Sequence, residues 1–201
     1  VKIAAIVLAA GGGRRFHGPK QLALWRGKPL LFHVLDALRD AHVCCVRVVV
    51  GAYVDQILPA VEAWLHAHAP AESDWAVVLN PYWHRGLSTS IHAGLASVRE
   101  VDAALFPLAD QPRVTTDLFN TLIATYERTR ALIVAPRYGG HPGTPVLFDA
   151  RLFPALQTLQ GDVGGRVLIR RYPQWVTWVD WPDDWAGWDV DVPQDLFLHS
   201  A

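Results

Sequence analysis

Residues 3–20, IAAIVLAAGGGRRFHGPK, change character abruptly at position 11. Ile3 to Ala9 is an unbroken apolar run without polar alternation, which predicts a strand buried on both faces of a parallel sheet. Gly11, Gly12 and Gly13 then let the backbone take positive φ and bring bare N–H groups close to an anion. Arg14, Arg15 and Lys20 follow at once. A rigid strand end, a glycine loop and three cations together suit a polyphosphate. The plainer alternative is a glycine-rich turn with a solvated basic patch. Two known phosphate loops are excluded, since neither GxxxxGK[ST] nor GxGxxG is matched.

Composition limits what surrounds this loop. With 201 residues, 51% hydrophobic and 18% charged, the chain is long enough for a well-buried core, and one domain over residues 1–201 is expected. A net charge of −1 from 18 basic and 19 acidic residues argues against a nucleic-acid surface or a polybasic membrane anchor, so any anion site must be local. Cys44 and Cys45 are adjacent inside an apolar run and read as buried core thiols in a reducing compartment. Lys2 ahead of a short apolar stretch has the look of a secretory signal, but the stretch is short and two arginines follow it, which favours a strand. No run approaches the roughly 20 residues of a membrane span. A cytoplasmic location is expected.

Downstream, strand and helix patterns alternate. Leu30, Leu31, Val34, Leu35 and Leu38 have helical spacing, Val46–Val50 reads as a strand, Val54–His66 as a helix and Ala76–Leu79 as a third strand. This alternation predicts a parallel sheet wound with helices. A polar and aromatic connection, Asn80 to Ser90, leads into a helix expected over Ile91–Val98, with Ser88 or Ser90 as its N-cap or as a site residue. Ala103–Leu108 is the next buried strand and ends at Asp110-Gln111-Pro112. A carboxylate just past a central strand lies at the crevice where open α/β sheets bind ligands, and beside a polyphosphate it implies Mg²⁺. The ordinary alternative is an Asp that opens a turn before proline. Thr115–Arg130 reads as a helix and Leu132–Pro136 as a strand, and Gly139-Gly140 is placed to close a hairpin. Ala150–Leu159 is expected to be helical, a short helix to end at Arg171, and Trp175–Trp181 to form an edge strand.

Several segments together resemble the molybdenum-cofactor cytidylyltransferase and MobA-like nucleotidyltransferase family of the nucleotide-diphospho-sugar transferase superfamily. In the loop signature L-A-A/G-G-x-S/G-x-R-M/F-G-x-x-K, Leu8, Ala9, Ala10, Gly11, Gly13, Arg15, Phe16 and Lys20 fall in register. His17 stands at the family's glycine, with Gly18 one place later. Gly86-Leu87-Ser88-Thr89-Ser90-Ile91, Asp110 in D-x-P, the His141-Pro142 segment, Gly161-Asp162 through Arg166, and Asp189-Val190-Asp191 before Pro193 match further family segments, with Val192 where the family has Thr.

The resemblance implies an α/β, Rossmann-like three-layer sandwich with a mostly parallel sheet, and transfer of a nucleotide from a triphosphate to a phosphomonoester with release of pyrophosphate. It implies Arg15, Lys20 and Asp110 as catalytic residues. Leu8, Ala9, Ala10, Gly11, Gly12, Gly13, Arg15, Lys20, Ser88 and Ser90 would contact the nucleotide. Asp110 with Asp191, or Asp189 in its place, would hold Mg²⁺; His141, Asp162 and Arg166 would face the acceptor. CTP is the expected donor, molybdopterin the expected acceptor, and a molybdenum hydroxylase the eventual recipient. A guanylyltransferase for the same cofactor, a sugar-phosphate or alcohol-phosphate nucleotidyltransferase, and a non-catalytic cofactor-insertion accessory protein remain open.

Overall fold

A computed structural model describes residues 1–198. In chain order its elements are β1 (Ile3–Ala9), β2 (Leu24–Trp25), β3 (Lys28–Pro29), α1 (Leu30–Arg39), β4 (Cys45–Val50), α2 (Val54–His68), β5 (Asp74–Leu79), α3 (Leu87–Ala96) and β6 (Ala103–Phe106). There follow α4 (Thr116–Thr129), β7 (Ile133–Tyr138), β8 (His141–Pro142), β9 (Val146–Asp149), α5 (Phe153–Gln157), α6 (Arg166–Arg171) and β10 (Val176–Trp181). The main sheet runs β10–β7–β9–β6–β1–β4–β5, with β8 paired to β7. β1 is parallel to both β4 and β6, β4 to β5, and β7 to β10, whereas β9 runs antiparallel to β6 and β7.

The apolar run of β1 explains the layering. Its odd residues, Ile3, Ala5, Val7 and Ala9, pack with buried side chains of α1, α2 and α4. Its even residue Ile6 packs on the other face with α3, α5 and α6. A strand covered on both sides has no wet face, so alternation disappears from its sequence. The result is a single-domain α/β fold with helices on both faces of a mostly parallel sheet.

Several expected boundaries shift. α3 begins at Leu87, not Ile91, with Gly86 at its N-cap, so Ser88 and Ser90 lie inside the helix and neither caps it. That end is satisfied from elsewhere: Leu87 N–H donates to Asp162 Oδ1 at 3.3 Å and Ser88 N–H to the Gly161 carbonyl at 3.2 Å. Asp162 therefore caps α3, whereas Gly165 is the N-cap of the helix that follows it in sequence. Gly139-Gly140 closes the β7–β8 hairpin as expected, with Tyr138 opposite His141. Of the two cysteines only Cys45 is buried; Cys44 is exposed because it precedes the strand that carries Cys45 into the core. Burial pushes the Cys45 thiol up to about 12. Among the described residues no helix is long and apolar enough to cross a membrane.

Candidate active site

The site lies where β1 and β6 end. Leu8 bridges to Leu108 in parallel register, Leu8 N–H donating to the Pro107 carbonyl at 2.9 Å, and this sets the glycine loop beside Asp110. The loop then folds on itself: the N–H groups of Phe16 and His17 both donate to the Gly13 carbonyl, at 2.8 and 3.0 Å. Gly13 has φ +53°, and a Cβ there would meet the Gly18 carbonyl oxygen at 2.8 Å, so this position needs glycine. The displaced family glycine is absorbed by His17, which takes φ +58°. Lys20 still reaches Asp110.

Gln21 anchors the loop, although the sequence offered no motif for it. Its buried amide donates to the carbonyls of Ala9 at 2.7 Å and Gly11 at 2.8 Å, fixing where the strand stops and the loop starts. On the far side the Trp83 ring packs against Gly12 and Gly51. Together these close a cavity of 470 Å³ lined by Gly11, Gly12, Gly13, Arg14, Lys20, Trp83, His84, Arg85, Ser90, Asp110 and Asp162, among others. Such a volume suits a small-molecule ligand of nucleotide size.

Charge is concentrated at one edge of this cavity. Lys20 Nζ lies 2.5 Å from Asp110 Oδ2 and 3.9 Å from Asp191 Oδ1, while Arg15 Nη2 pairs with Asp191 Oδ2 at 3.0 Å. The Val190 N–H donates to the Asp110 carbonyl at 3.0 Å, which is how a segment 80 residues away in sequence is brought to the site. Asp110 and Asp191 thus converge on one positive charge. Two hard carboxylates beside a cavity could hold a divalent cation that takes its other ligands from phosphate and water. Among the described residues no group of three or more His, Cys, Asp or Glu side chains is gathered into an all-protein cage. Asp189 is set deeper than Asp191. Burial, and then the neighbouring Asp110 carboxylate, push its carboxyl up to about 6.

The other expected positions divide between the cavity wall and the structure around it. Ala9 is buried in the core and meets the site only through its carbonyl bond to Gln21. Ser88 is buried, its backbone N–H held by Gly161, while Ser90 lines the cavity and accepts from Asn80 Nδ2 at 3.0 Å. Ala10 lines the cavity but is only 3% exposed, and its methyl faces Gly51. Arg14 lines the cavity while Arg15 turns to Asp191. His141 is exposed on the hairpin and lines neither this cavity nor a second one. That second cavity opens beside the first and shares Leu8, Leu87, Leu108 and Asp110 with it; Arg166 and Asp189 are in its wall. Trp83, His84 and Arg85 were missed because a mixed aromatic and basic loop carries no spacing signal.

A parallel α/β sheet with a glycine loop, a lysine and paired carboxylates at its strand ends has the architecture of the nucleotidyltransferases. The chain belongs to the MobA-like NTP transferase domain family, whose model matches residues 5–175. It is 29% identical over 202 residues to nicotine blue oxidoreductase of Paenarthrobacter nicotinovorans, covering 97% of this chain and 95% of that protein. The crystal structure of the Rv0371c homologue from Mycobacterium sp. strain JC1 is 26% identical with a TM-score of 0.78, covering 97% of this chain and 94% of that one. A manganese complex of Rv0371c from Mycobacterium tuberculosis is 28% identical with a TM-score of 0.71, covering 97% and 96%.

Proposed function

We propose that this protein, acting as one nucleotidyltransferase domain over its 201 residues, moves CMP from CTP onto the terminal phosphate of a molybdopterin-type acceptor and releases pyrophosphate. The observation that carries the reading is the joint position of Lys20, Asp110 and Asp191 at the junction of two cavities, 2.5 and 3.9 Å apart around one ammonium. Arg14, Lys20 and the N–H groups of Gly11–Gly13 bind and orient the triphosphate. The acceptor phosphate oxygen attacks the α-phosphorus as the bond to the β-phosphate oxygen breaks, so the leaving group is pyrophosphate. A phosphomonoester with its second pKa near ~6 is largely dianionic at neutral pH and needs no general base. That explains a site without a Ser-His-Asp or Cys-His arrangement among the described residues. Lys20 moves from Asp110 toward the developing charge on the phosphates, and Arg15 holds Asp191 in place.

Asp110 and Asp191 would hold Mg²⁺, which when bound neutralises phosphate charge and polarises the α-phosphorus. The manganese in the Rv0371c complex supports a divalent ion for this chain as well. CTP as donor rests on the Leu8-Ala9-Ala10-Gly11 form of the loop, since guanylyl-transferring relatives more often have Leu-Ala-Gly-Gly. Because the Ala10 methyl faces Gly51, any effect on the base passes through the Gly51–Trp83 packing instead of direct contact.

The relative named as an oxidoreductase favours a second reading, redox chemistry on a dinucleotide in the same cavity. The absence of GxGxxG weighs against it. One panel separates the two: CTP, GTP, ATP and UTP with Mg²⁺ and molybdopterin, following pyrophosphate, beside NADH and NADPH oxidation. Pyrophosphate release dependent on acceptor is the expected result. Pyridine-nucleotide oxidation without pyrophosphate would reverse the assignment.

A further inference from the structure

At the end of the sheet away from Asp110, the chain brings two sulfurs into a basic cavity. Cys44 N–H donates to the Ile3 carbonyl at 2.8 Å and Asp102 N–H to the Lys2 carbonyl at 2.8 Å, which draws the amino ends of β1, β4 and β6 together. Beside them opens a cavity of 450 Å³ whose walls include Lys2, Cys44, Cys45, Arg47, Asp74 and Arg99. That volume lies within the about 300–1,000 Å³ of small-molecule sites. The two sulfurs are 3.9 Å apart but unlike, since Cys44 is exposed and Cys45 buried. They cannot bridge to each other without distortion, because neighbouring Cα atoms are about 3.8 Å apart and disulfides need about 4.4–6.8 Å. Burial, and then Cys44 beside it, push the Cys45 thiol up to about 12, so it stays protonated at neutral pH.

The cations in this wall differ in the same way. Arg47 is committed: Nη2 pairs with Asp74 Oδ2 at 2.7 Å, Nη1 donates to the Asp74 carbonyl at 2.9 Å and Nε to the Ser97 carbonyl at 3.3 Å. Lys2 and Arg99 are available. Among the described residues Lys2 Nζ has only Glu100 as an ion-pair partner, 3.9 Å away with both side chains mostly exposed, and Arg99 is exposed and has none. Asp74 is thus neutralised by Arg47, and two cations beside the sulfurs are left over.

We propose that this cavity is a modification site at which Cys44 forms a mixed disulfide with a small carboxylate-bearing thiol, Lys2 and Arg99 attracting the anionic disulfide that delivers it. The Cys44 thiolate attacks one sulfur of that disulfide. A new S–S bond forms to this half, the original S–S bond breaks, and the other half leaves as a thiolate that takes up a proton in place of the one Cys44 gave up. The Cys44 sulfur is oxidised and the departing sulfur reduced, so the disulfide itself is the oxidant. A neighbouring thiol ordinarily expels such an adduct. Cys45 does not, being protonated and too close along the chain to bridge, so the adduct persists until an external thiol removes it. The site precedes β1, whereas Lys20 and Asp110 lie past the carboxyl ends of β1 and β6, so the adduct leaves the catalytic cavity open.

The test incubates the reduced full chain at neutral pH with oxidised glutathione, 2-hydroxyethyl disulfide or cystamine, which are anionic, neutral and cationic. Intact mass counts the adducts and non-reducing peptide mapping places them. One glutathione on Cys44, released by dithiothreitol, is the expected product. Its rate relative to cystamine should exceed the same ratio for an uncharged cysteine peptide by about 10-fold, and salt should shrink that excess. Cys44→Ser should give no adduct and Cys45→Ser should keep it. Lys2→Glu with Arg99→Glu should reverse the preference between glutathione and cystamine, while an unchanged rate with 2-hydroxyethyl disulfide reports that fold and access are intact. If that rate also moves, the salt dependence of the wild type decides. No adduct from oxidised glutathione, an adduct on Cys45, a Cys44–Cys45 bridge in its place, or rates indifferent to the charge of the disulfide would overturn the proposal.

Discussion

Two acidic clusters sit at opposite ends of β6. At its start, opposite Ala103, Asp149 is 6% exposed and fully engaged: Oδ1 accepts from Arg151 N and Nε at 2.8 Å each, and Oδ2 from Tyr126 Oη at 2.8 Å and Arg151 Nη2 at 2.9 Å. Burial alone would raise this carboxyl, but the Arg151 guanidinium and N–H and the Tyr126 hydroxyl outweigh it and hold it below the usual range. Burial and Asp149 in turn push the Tyr126 phenol up to about 12, so it stays a donor. Beyond the other end of β6, Asp110 has Lys20 alone as its ion-pair partner among the described residues, the Asp191 side chain is 45% exposed, and Asp189 Oδ1 has no partner. The same residue types serve structure where every lone pair is filled and chemistry where some are left open. The strands' carboxyl ends are the place for the second arrangement, because there the chain turns away and leaves a crevice.

The sharpest way to break this contrast is to remove divalent cations. Chelation should abolish transfer, with Mg²⁺ or Mn²⁺ restoring it, while the melting temperature without nucleotide stays unchanged; transfer that survives exhaustive chelation would end the carboxylate–metal argument. Next in size, Lys20→Ala and Asp110→Asn should each lower single-turnover rates by about 10²- to 10³-fold with the fold intact. Asp110→Asn relieves repulsion with Asp189 but also leaves the Lys20 ammonium without its 2.5 Å partner, so the two effects oppose each other in the melt. A folded variant of either kind with wild-type turnover would take that residue out of the mechanism.

Competition of CTP and GTP for limiting acceptor should favour CTP by roughly 10- to 200-fold if packing at Ala10 controls the base pocket. A preference for GTP would leave fold and metal untouched and overturn the cytidylyl assignment. The smallest effect on activity belongs to the other cluster. Asp149→Asn should leave turnover near wild type yet cost about 1–3 kcal/mol in denaturant unfolding at neutral pH. Since the folded carboxyl lies below its unfolded value of about 3.9, its stabilisation is present above that pH and fades as pH falls through the folded value. The gap between the two proteins should therefore narrow below about pH 4. A gap that is constant with pH would mean that the amide loses only shape, not charge.

Much of the site was legible because its signals are local. Glycines, Lys20 and Asp110 announce themselves by what precedes them, a buried strand that ends at a loop. The caps were harder. Asp162 precedes one helix in sequence, but its carboxylate accepts from Leu87 N–H, 75 residues earlier, and no spacing rule reaches that far. Gln21 was silent for a different reason: a glutamine in a loop has no periodicity, and its importance comes only from the two carbonyls it meets.

The sequence by itself determined the layer order, since a strand without alternation has to be covered on both faces, and it determined that a glycine-rich loop with adjacent cations follows that strand. Tertiary structure alone decided which acids meet. Asp110, Asp189 and Asp191 lie in segments that converge through one backbone hydrogen bond, Val190 N–H to the Asp110 carbonyl. It also decided which carboxylate is exposed and which is buried with an unpartnered oxygen. Those properties depend on solvent access and on neighbours supplied by distant strands, and neither is encoded by residue type or spacing.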